Sequence, residues 1–253
     1  QLRVAPPTPM RGPQAVVANH VLPVIAAPRD ARERAEGSLD IRQDLLDLDG
    51  GPIERLVNDG TLAPLGSGNN KQIFRVVGKP WVVAVATAGS HGSKWRAVTS
   101  EIEQLLTLNG AGVKVPSLGP VTSAEQALVD VQMQGEPAKA FIEQFIDANH
   151  ALGRQESHNY PNLVADEIER VIGGRKNFSA DRWANANADL TALERYFEVH
   201  KDIPDFQVVI ELGSGHIYTI DPGDPTIVGN LSSHKTWLQH WRKRLNVLRP
   251  TRL

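Results

Sequence analysis

Two acidic residues in the last quarter of the chain carry the side chains most suited to chemistry. Asp202 has His200 two residues before it and the amide of Gln207 five residues after it, and Asp221 follows further along the chain in an Asp-Pro-Gly sequence. A carboxylate can accept a proton from a hydroxyl or bind a divalent cation, and an amide oxygen is also a ligand for Mg²⁺. The spacing therefore indicates acid-base and metal chemistry.

The residues between these two acids predict the element that positions them. Apolar runs at 208–212 and 216–220 flank the turn sequence Gly213-Ser214-Gly215, which is typical of a β-hairpin. Such a hairpin would place Asp202 and Asp221 close together at its open end. The alternative is an ordinary hairpin with acids on its surface.

The combined spacing resembles the catalytic loop and the metal-binding Asp of protein kinases, His-Arg-Asp-x-x-x-x-Asn followed by Asp-Phe-Gly. The sequence departs from that pattern at Lys201, Gln207 and Pro222. The resemblance implies that Asp202 orients the acceptor hydroxyl and takes its proton. It also implies that Gln207 and Asp221 bind Mg²⁺ on the phosphates of ATP.

A second part of the resemblance is a glycine-rich loop between two expected strands, within residues 65–76. Gly66, Ser67 and Gly68 would bind the nucleotide, because backbone N–H groups at glycine can approach phosphate oxygens closely. Lys71 stands where the family has its third glycine. A plain Gly-Asn hairpin is the alternative, whereas a Rossmann loop is disfavoured because a strand pattern follows at 81–86.

Ala86 occupies the position in that strand where a kinase has its phosphate-binding lysine. Two explanations compete. Lys71 replaces the missing lysine, as in the kinases known as "with no lysine", or the site has lost nucleotide chemistry, naturally or by engineering. Glu101, in a helix expected at 100–109 with Ser100 as its cap, would pair with the lysine, and Glu103 is the alternative partner.

The remaining elements are predicted from hydrophobic periodicity. Strands are expected at 126–133 and 139–146, and the second resembles the strand that leads into a kinase hinge, so that main-chain groups from Glu143 to Phe145 would face adenine. Ser179 would cap a long helix with one apolar face that ends at His200.

The two ends of the chain complete the expected domain organisation. Residues 1–50 form a lead-in, weakly ordered to about residue 38 because of its prolines, and one or two short helices follow within 39–62. A kinase-like N-lobe covers 51–147 and a reduced C-lobe covers 148–253, whose last helix is capped by Ser232 or Ser233 and leaves Arg242, Lys243 and Arg244 in solvent. The small C-lobe resembles the minimal kinases that bacteria deliver as effectors or toxins.

Composition excludes several classes of function. The chain has 253 residues with 27 basic and 29 acidic side chains and no long basic run, which argues against binding to nucleic acid or to an anionic membrane surface. No stretch is apolar enough to span a membrane. Cysteine is absent, which excludes disulfides and thiolate metal sites and is compatible with either a reducing or an oxidising compartment. The sequence does not indicate an oligomeric state.

The expectation is therefore a bilobal α+β fold of the protein-kinase type with a reduced C-lobe. The resemblance implies transfer of the γ-phosphoryl group of ATP, with Mg²⁺, to a Ser or Thr hydroxyl of a host protein. It also implies secretion or translocation by a bacterium and action in the host or target-cell cytosol. The alternatives are a pseudokinase that binds a partner and a kinase-fold enzyme that transfers AMP.

Overall fold

The computed structural model shows a mixed α+β fold with one five-stranded antiparallel sheet, one three-stranded sheet and several helices. The structure describes residues 31–68, 70–149, 179–200, 207–211, 213–220, 222, 238–239, 241–243, 245–247 and 249–250. Among the helices in those ranges, none combines the length and the apolarity needed to cross a bilayer.

The five-stranded sheet has the order β1-β2-β3-β5-β4. Its strands are β1 Leu62–Ser67, β2 Gln72–Val76, β3 Trp81–Thr87, β4 Val129–Met133 and β5 Glu136–Gln144. The central strand β3 is buried on both faces, which explains its unbroken run of Val and Ala. Val83 and Val85 face an outer core cluster, whereas Ala84 and Ala86 face an inner one.

The strand expected at 126–133 begins only at Val129. Helix α4, Ala124–Ala127, occupies the preceding residues, and the backbone N–H of Gln126 donates to the hydroxyl of Ser123 at its N-cap. Capping by serine satisfies one of the free N–H groups of a helix. The Ser123 cap therefore favours a helix over residues 124–127, where the apolar residues alone predict a strand.

The outer face of this sheet is covered by the first helices. Helix α1, Ala31–Leu46, packs against β4 and β5 and buries Ile41 and Leu45, and α2, Glu54–Asn58, follows it. The segment between them contains Gly50 and Gly51. Helix α1 begins inside the stretch that was expected to be weakly ordered, and its residues in the outer cluster, Ile41 and Leu45, follow that stretch.

The inner face of the sheet is covered by α3, Ser93–Gly110. Its residues Val98, Ile102 and Leu105 recur at helical spacing and are buried. The helix starts seven residues before Ser100, its expected cap, and its N-cap is Gly92 in the left-handed region. The segment 93–99 contains neither glycine nor proline, so nothing stops the helix there.

The smaller sheet has the order β6-β7-β8, with strands β6 Ala148–Asn149, β7 Gln207–Glu211 and β8 Ile217–Ile220. Strands β7 and β8 form the antiparallel hairpin that the sequence predicted, which is confirmed by their pairing. Helix α5, Ala180–Val199, packs against β8. The cap of this helix is also confirmed, because the Ser179 hydroxyl accepts a hydrogen bond from the Arg182 N–H.

The hairpin turn is docked on α5. The Asp189 carboxylate accepts a hydrogen bond from the Ile217 backbone N–H at 2.9 Å and lies 2.8 Å from Nδ1 of His216. Gly215 has a φ of 75°, and a Cβ at this position would lie 2.7 Å from atoms of Arg182. Glycine is therefore required both by its conformation and by the approach of the helix.

An extended segment after α3 joins the two sheets. The N–H of Gln144 donates to the carbonyl oxygen of Ser117, and the N–H of Thr219 donates to that of Lys114, each at 2.8 Å. One hydrophobic cluster continues from α3 to α5 and the hairpin. The C-terminal end of β5 and strand β8 are thus hydrogen-bonded to the same segment.

The environment of Arg242 differs from the solvent-exposed one that the sequence predicts. Its guanidinium donates to the Glu194 carboxylate at 3.0 and 2.6 Å, and also to Asn187 and Thr191, all on α5. The helical residues around it bury Leu238, Trp241 and Leu245, so Arg242 is carried onto the polar side of α5. A bidentate pair fixes the orientation of both groups.

Candidate active site

The glycine-rich loop spans the end of β1, which contains Gly66 and Ser67, and the turn that begins at Gly68 and leads into β2. A β-bulge at Leu65 shifts the register between Pro64 and Gly66, and the N–H of Gly68 donates to the carbonyl oxygen of Lys71 at 2.9 Å. A bulge redirects the side chain of the extra residue. Beyond the bulge, Gly66 and Ser67 pair with Ile73 and Gln72 of β2.

Lys71, at the end of this loop, forms an ion pair with Glu101 of α3. The side chains are only 14% and 7% exposed, respectively. The Lys71 ammonium also lies 5.7 Å from the centre of the Phe141 ring on β5. The ion pair that the sequence predicted between the loop and the helix is present.

A cavity of about 320 Å³ opens beneath the loop, with Lys71 and Glu101 in its wall. It is lined from above by the loop and the sheet, and from below by the hairpin. The remaining lining residues are Leu65, Gly66, Ser67, Gly68, Ile73, Val82, Pro116, Glu143, Gln144, Phe145, Ile146, Val209 and Ile220. The ion pair is thus at one side of a largely apolar slot.

The apolar walls of the cavity were not predicted from the sequence. Val82 and Leu65 lie on the sheet side, and Val209 and Ile220 lie on the hairpin side. A signal for the second pair was present, because Val209 lies two residues after Gln207 in the sequence and Ile220 directly precedes Asp221. The sequence pattern alone predicts these positions only as strand residues.

Ala86, the residue at the expected lysine position, is 1% exposed and belongs to the inner cluster. Trp95 lies in the first turn of α3. Its indole N–H donates to the carbonyl oxygen of Ala86 at 2.9 Å. Trp95 packs against the same cluster. The space beside Ala86 is therefore occupied by protein.

Glu143 and Phe145, whose main-chain groups are expected to face adenine, both line the cavity. The Phe145 N–H donates to the carbonyl oxygen of Pro80 at 2.9 Å, and the Gln144 N–H is bound to Ser117. The Arg75 guanidinium lies 3.9 Å from the centre of the Phe145 ring. The N–H groups of Gln144 and Phe145 are therefore already hydrogen-bonded within the protein.

The predicted base and metal ligands are only partly within the described residues. Asp202 and Asp221 lie outside them. Gln207 begins β7 opposite Ile220, at the open end of the hairpin. Within the residues that the structure describes, no group of three or more His, Cys, Asp or Glu side chains is arranged to hold a metal ion.

His200 ends α5, where its ring stacks on Tyr196 with the centroids 4.2 Å apart. Burial raises the pKa of the Tyr196 phenol above its usual value. The stacked pair lies at the C-terminal end of α5.

Comparison with models of known protein families gives no match, and comparison with curated protein sequences gives no match either.

Proposed function

We propose that this protein is a bilobal kinase-fold enzyme that uses ATP and Mg²⁺ to phosphorylate a Ser or Thr hydroxyl of another protein. The observation that carries the proposal is the buried ion pair between Lys71 and Glu101 in the wall of the cavity under the glycine-rich loop. Phosphoryl transfer depends mainly on positioned charges. An ammonium group fixed by a carboxylate beside such a loop is what the triphosphate of ATP requires.

The position of Lys71 supports a functional exchange rather than a decayed site. A kinase that lacks its strand lysine needs another cation within reach of the helix glutamate. Lys71 lies in the connection between β1 and β2 and forms an ion pair with Glu101, whereas Ala86 is packed beside Trp95. One residue therefore accounts for both departures from the family pattern.

The loop glycines support nucleotide binding. Neither Gly66 nor Gly68 has a positive φ, and a Cβ at either position would have no protein atom closer than 4.0 Å. Conformation and packing therefore do not demand glycine here. Close approach of phosphate oxygens to the backbone gives a physical reason for both residues.

The shape of the cavity supports binding of a flat aromatic base. Leu65 and Val82 on one side and Val209 and Ile220 on the other form apolar walls. A volume of about 320 Å³ lies at the lower end of the range for small-molecule sites. The base would lie between these walls with its triphosphate directed toward Lys71.

The protein substrate and the place of action come from the resemblance alone. The sequence resembles the minimal kinases that bacteria deliver into other cells. We therefore propose a host protein as the phosphate acceptor and the host or target-cell cytosol as the place of action. In this proposal Asp202 takes the hydroxyl proton, and Gln207 and Asp221 hold Mg²⁺.

Intact-mass analysis after incubation with Mg-ATP tests the proposal. The protein and a mixture of candidate acceptor proteins should gain roughly 80 Da per transferred phosphoryl group, and the Lys71→Met variant should produce no gain. A gain of roughly 329 Da would instead identify AMP transfer. No gain in any protein, together with unchanged ATP, would support a pseudokinase and contradict the proposed transfer.

A further inference from the structure

A lysine at residue 71 connects different elements through its ion pair than a lysine at residue 86 would. Lys71 directly precedes β2, and its pair with Glu101 joins the loop to α3. A lysine at residue 86 would have joined β3 to α3 instead. The central strand β3 therefore needs another connection to the helix if Glu101 is to keep its place.

Trp95 makes that connection. Its indole N–H donates to the carbonyl oxygen of Ala86 at 2.9 Å. Ala86 is the residue at the position where a kinase has its strand lysine. The Trp95 ring also lies 5.4 Å from the Lys139 ammonium on β5, and Lys139 pairs with Asp130 on β4 at 2.7 Å. The first turn of α3 thus contacts β3 and β5, and β5 is linked to β4 through Lys139.

We propose that Trp95 is the positioning residue that holds Glu101 against Lys71, in place of the ion pair that a lysine on β3 would form. Glu101 follows Trp95 by six residues in one continuous helix, a distance of about 9 Å along the axis. A small tilt about the Trp95 anchor would displace the Glu101 carboxylate from Lys71. Because the anchor is a neutral hydrogen bond, it holds the helix without using the charge of Lys71.

The chain offers a matched control for this inference. The indole N–H of Trp183, on α5, donates to the carbonyl oxygen of Leu245 at 2.8 Å. Trp183→Phe removes the same type of hydrogen bond as Trp95→Phe but lies on a different helix. A general loss of stability should therefore affect both variants, and a loss of position at Glu101 should affect only one.

The first readout is the reactivity of the Lys71 amine toward an acylating reagent at pH 8, followed by peptide mass spectrometry with Lys79 as the internal reference. A nearby carboxylate keeps an ammonium protonated and therefore unreactive. Trp95→Phe should raise the labelling of Lys71 about three- to tenfold, the range expected for one hydrogen bond. Trp183→Phe should leave it unchanged.

The second readout is kinetic and rests on the proposed function. Trp95→Phe should lower kcat by about three- to tenfold, with the KM for ATP little changed, whereas Trp183→Phe should change neither. If the unaltered protein transfers no phosphate, the proposed function fails, but the labelling comparison still tests the role of Trp95.

Equal labelling of Lys71 in both variants, or no increase with Trp95→Phe, would overturn the inference. If Trp95→Phe does not fold, replacing Trp95 by β-(3-benzothienyl)alanine decides the question, because this isostere keeps the shape of the ring and lacks only the N–H that donates to Ala86. Increased Lys71 labelling in that protein would then support the inference, and unchanged labelling would overturn it.

Discussion

Lys71 and Glu101, thirty positions apart in the sequence, form an ion pair in which both side chains are largely buried. Removing two charges from water costs free energy that only good mutual geometry recovers. A pair of this kind is therefore weak evidence for stability alone. Its position in the wall of a cavity beside a glycine-rich loop points to a role in binding a ligand.

Lys71→Met should abolish phosphoryl transfer and destabilise the protein. Loss of the cation leaves the Glu101 charge buried and uncompensated, which we expect to cost about 3 kcal/mol in the free energy of unfolding. Transfer should fall on the order of a hundredfold or more, because the phosphates lose their fixed positive charge. Urea denaturation and an ATP transfer assay measure the two effects separately.

The double variant Lys71→Met/Glu101→Leu provides the control. Replacing both members of a buried pair by apolar groups is often neutral for stability, so the free energy of unfolding should return toward that of the unaltered protein. Transfer should remain absent. A Lys71→Met variant with full activity would show that the lysine has another role.

Ala86→Lys should partly restore transfer when it is combined with Lys71→Met. The residue faces the inner cluster, and the flexible stem of a lysine there can direct its ammonium toward Glu101. We expect recovery of about tenfold in rate, a fraction of the loss, because the position beside Trp95 is already packed. The transfer assay measures the recovery.

Ala86→Met in the same background is the size-matched control and should restore nothing. The opposite pattern is also defined. If Ala86→Lys alone produced transfer that the unaltered chain lacks, and Lys71→Met changed nothing, the nucleotide site would be a decayed one.

Local sequence patterns were sufficient to predict the hairpin, helix α5 and the central strand. Each has a strong short-range signal: the Gly213-Ser214-Gly215 turn, the Ser179 cap, and the unbroken apolar run of β3. The partnership of Lys71 with Glu101 was predicted only because a family resemblance assigned both residues to one site. Their charges alone indicate no contact across thirty positions.

Features that depend on packing between distant segments were not predicted. Arg242 looked like a solvated residue, since nothing in its own segment reveals Glu194 as its partner. Val209 looked like an ordinary strand residue, because the cavity above it is formed by the loop and the sheet. Trp95 lay outside the expected helix, whose start was placed at Ser100 instead of Ser93.

Tyr196→Phe should make the stability of the protein less sensitive to alkaline pH. Burial raises the pKa of the Tyr196 phenol in the folded protein above its usual value of 10.0. The unfolded chain therefore ionises first, so that stability is complete below about pH 10 and falls as the pH rises toward the folded pKa. Denaturation at pH 8 and pH 11 should show a smaller decrease in Tyr196→Phe than in the unaltered protein. Equal decreases would contradict this role.

Asp202→Ala and Asp221→Ala should each abolish transfer without changing the fold. Loss of the base or of the metal ligand should lower the rate on the order of a hundredfold or more. Asp202→Ala should still bind Mg-ATP, whereas Asp221→Ala should bind it poorly, because only Asp221 is proposed to hold the metal. Asp205→Ala, in the same stretch as Asp202, is the control and should retain activity. Full activity in either test variant, with unchanged circular dichroism, would show that the assigned register is wrong.

Val209→Phe should weaken ATP binding by filling the lower wall of the cavity. Val209 is 3% exposed and lies across the cavity from the loop, so a larger ring must occupy the slot proposed for the base or displace its neighbours. We expect the Kd of a fluorescent ATP analogue to rise about tenfold, equivalent to about 1.4 kcal/mol. Val77→Phe makes the same change at a residue that is 56% exposed and should leave the Kd unaltered. If Val209→Phe folded normally and bound ATP as well as the unaltered protein, the base would have to bind elsewhere.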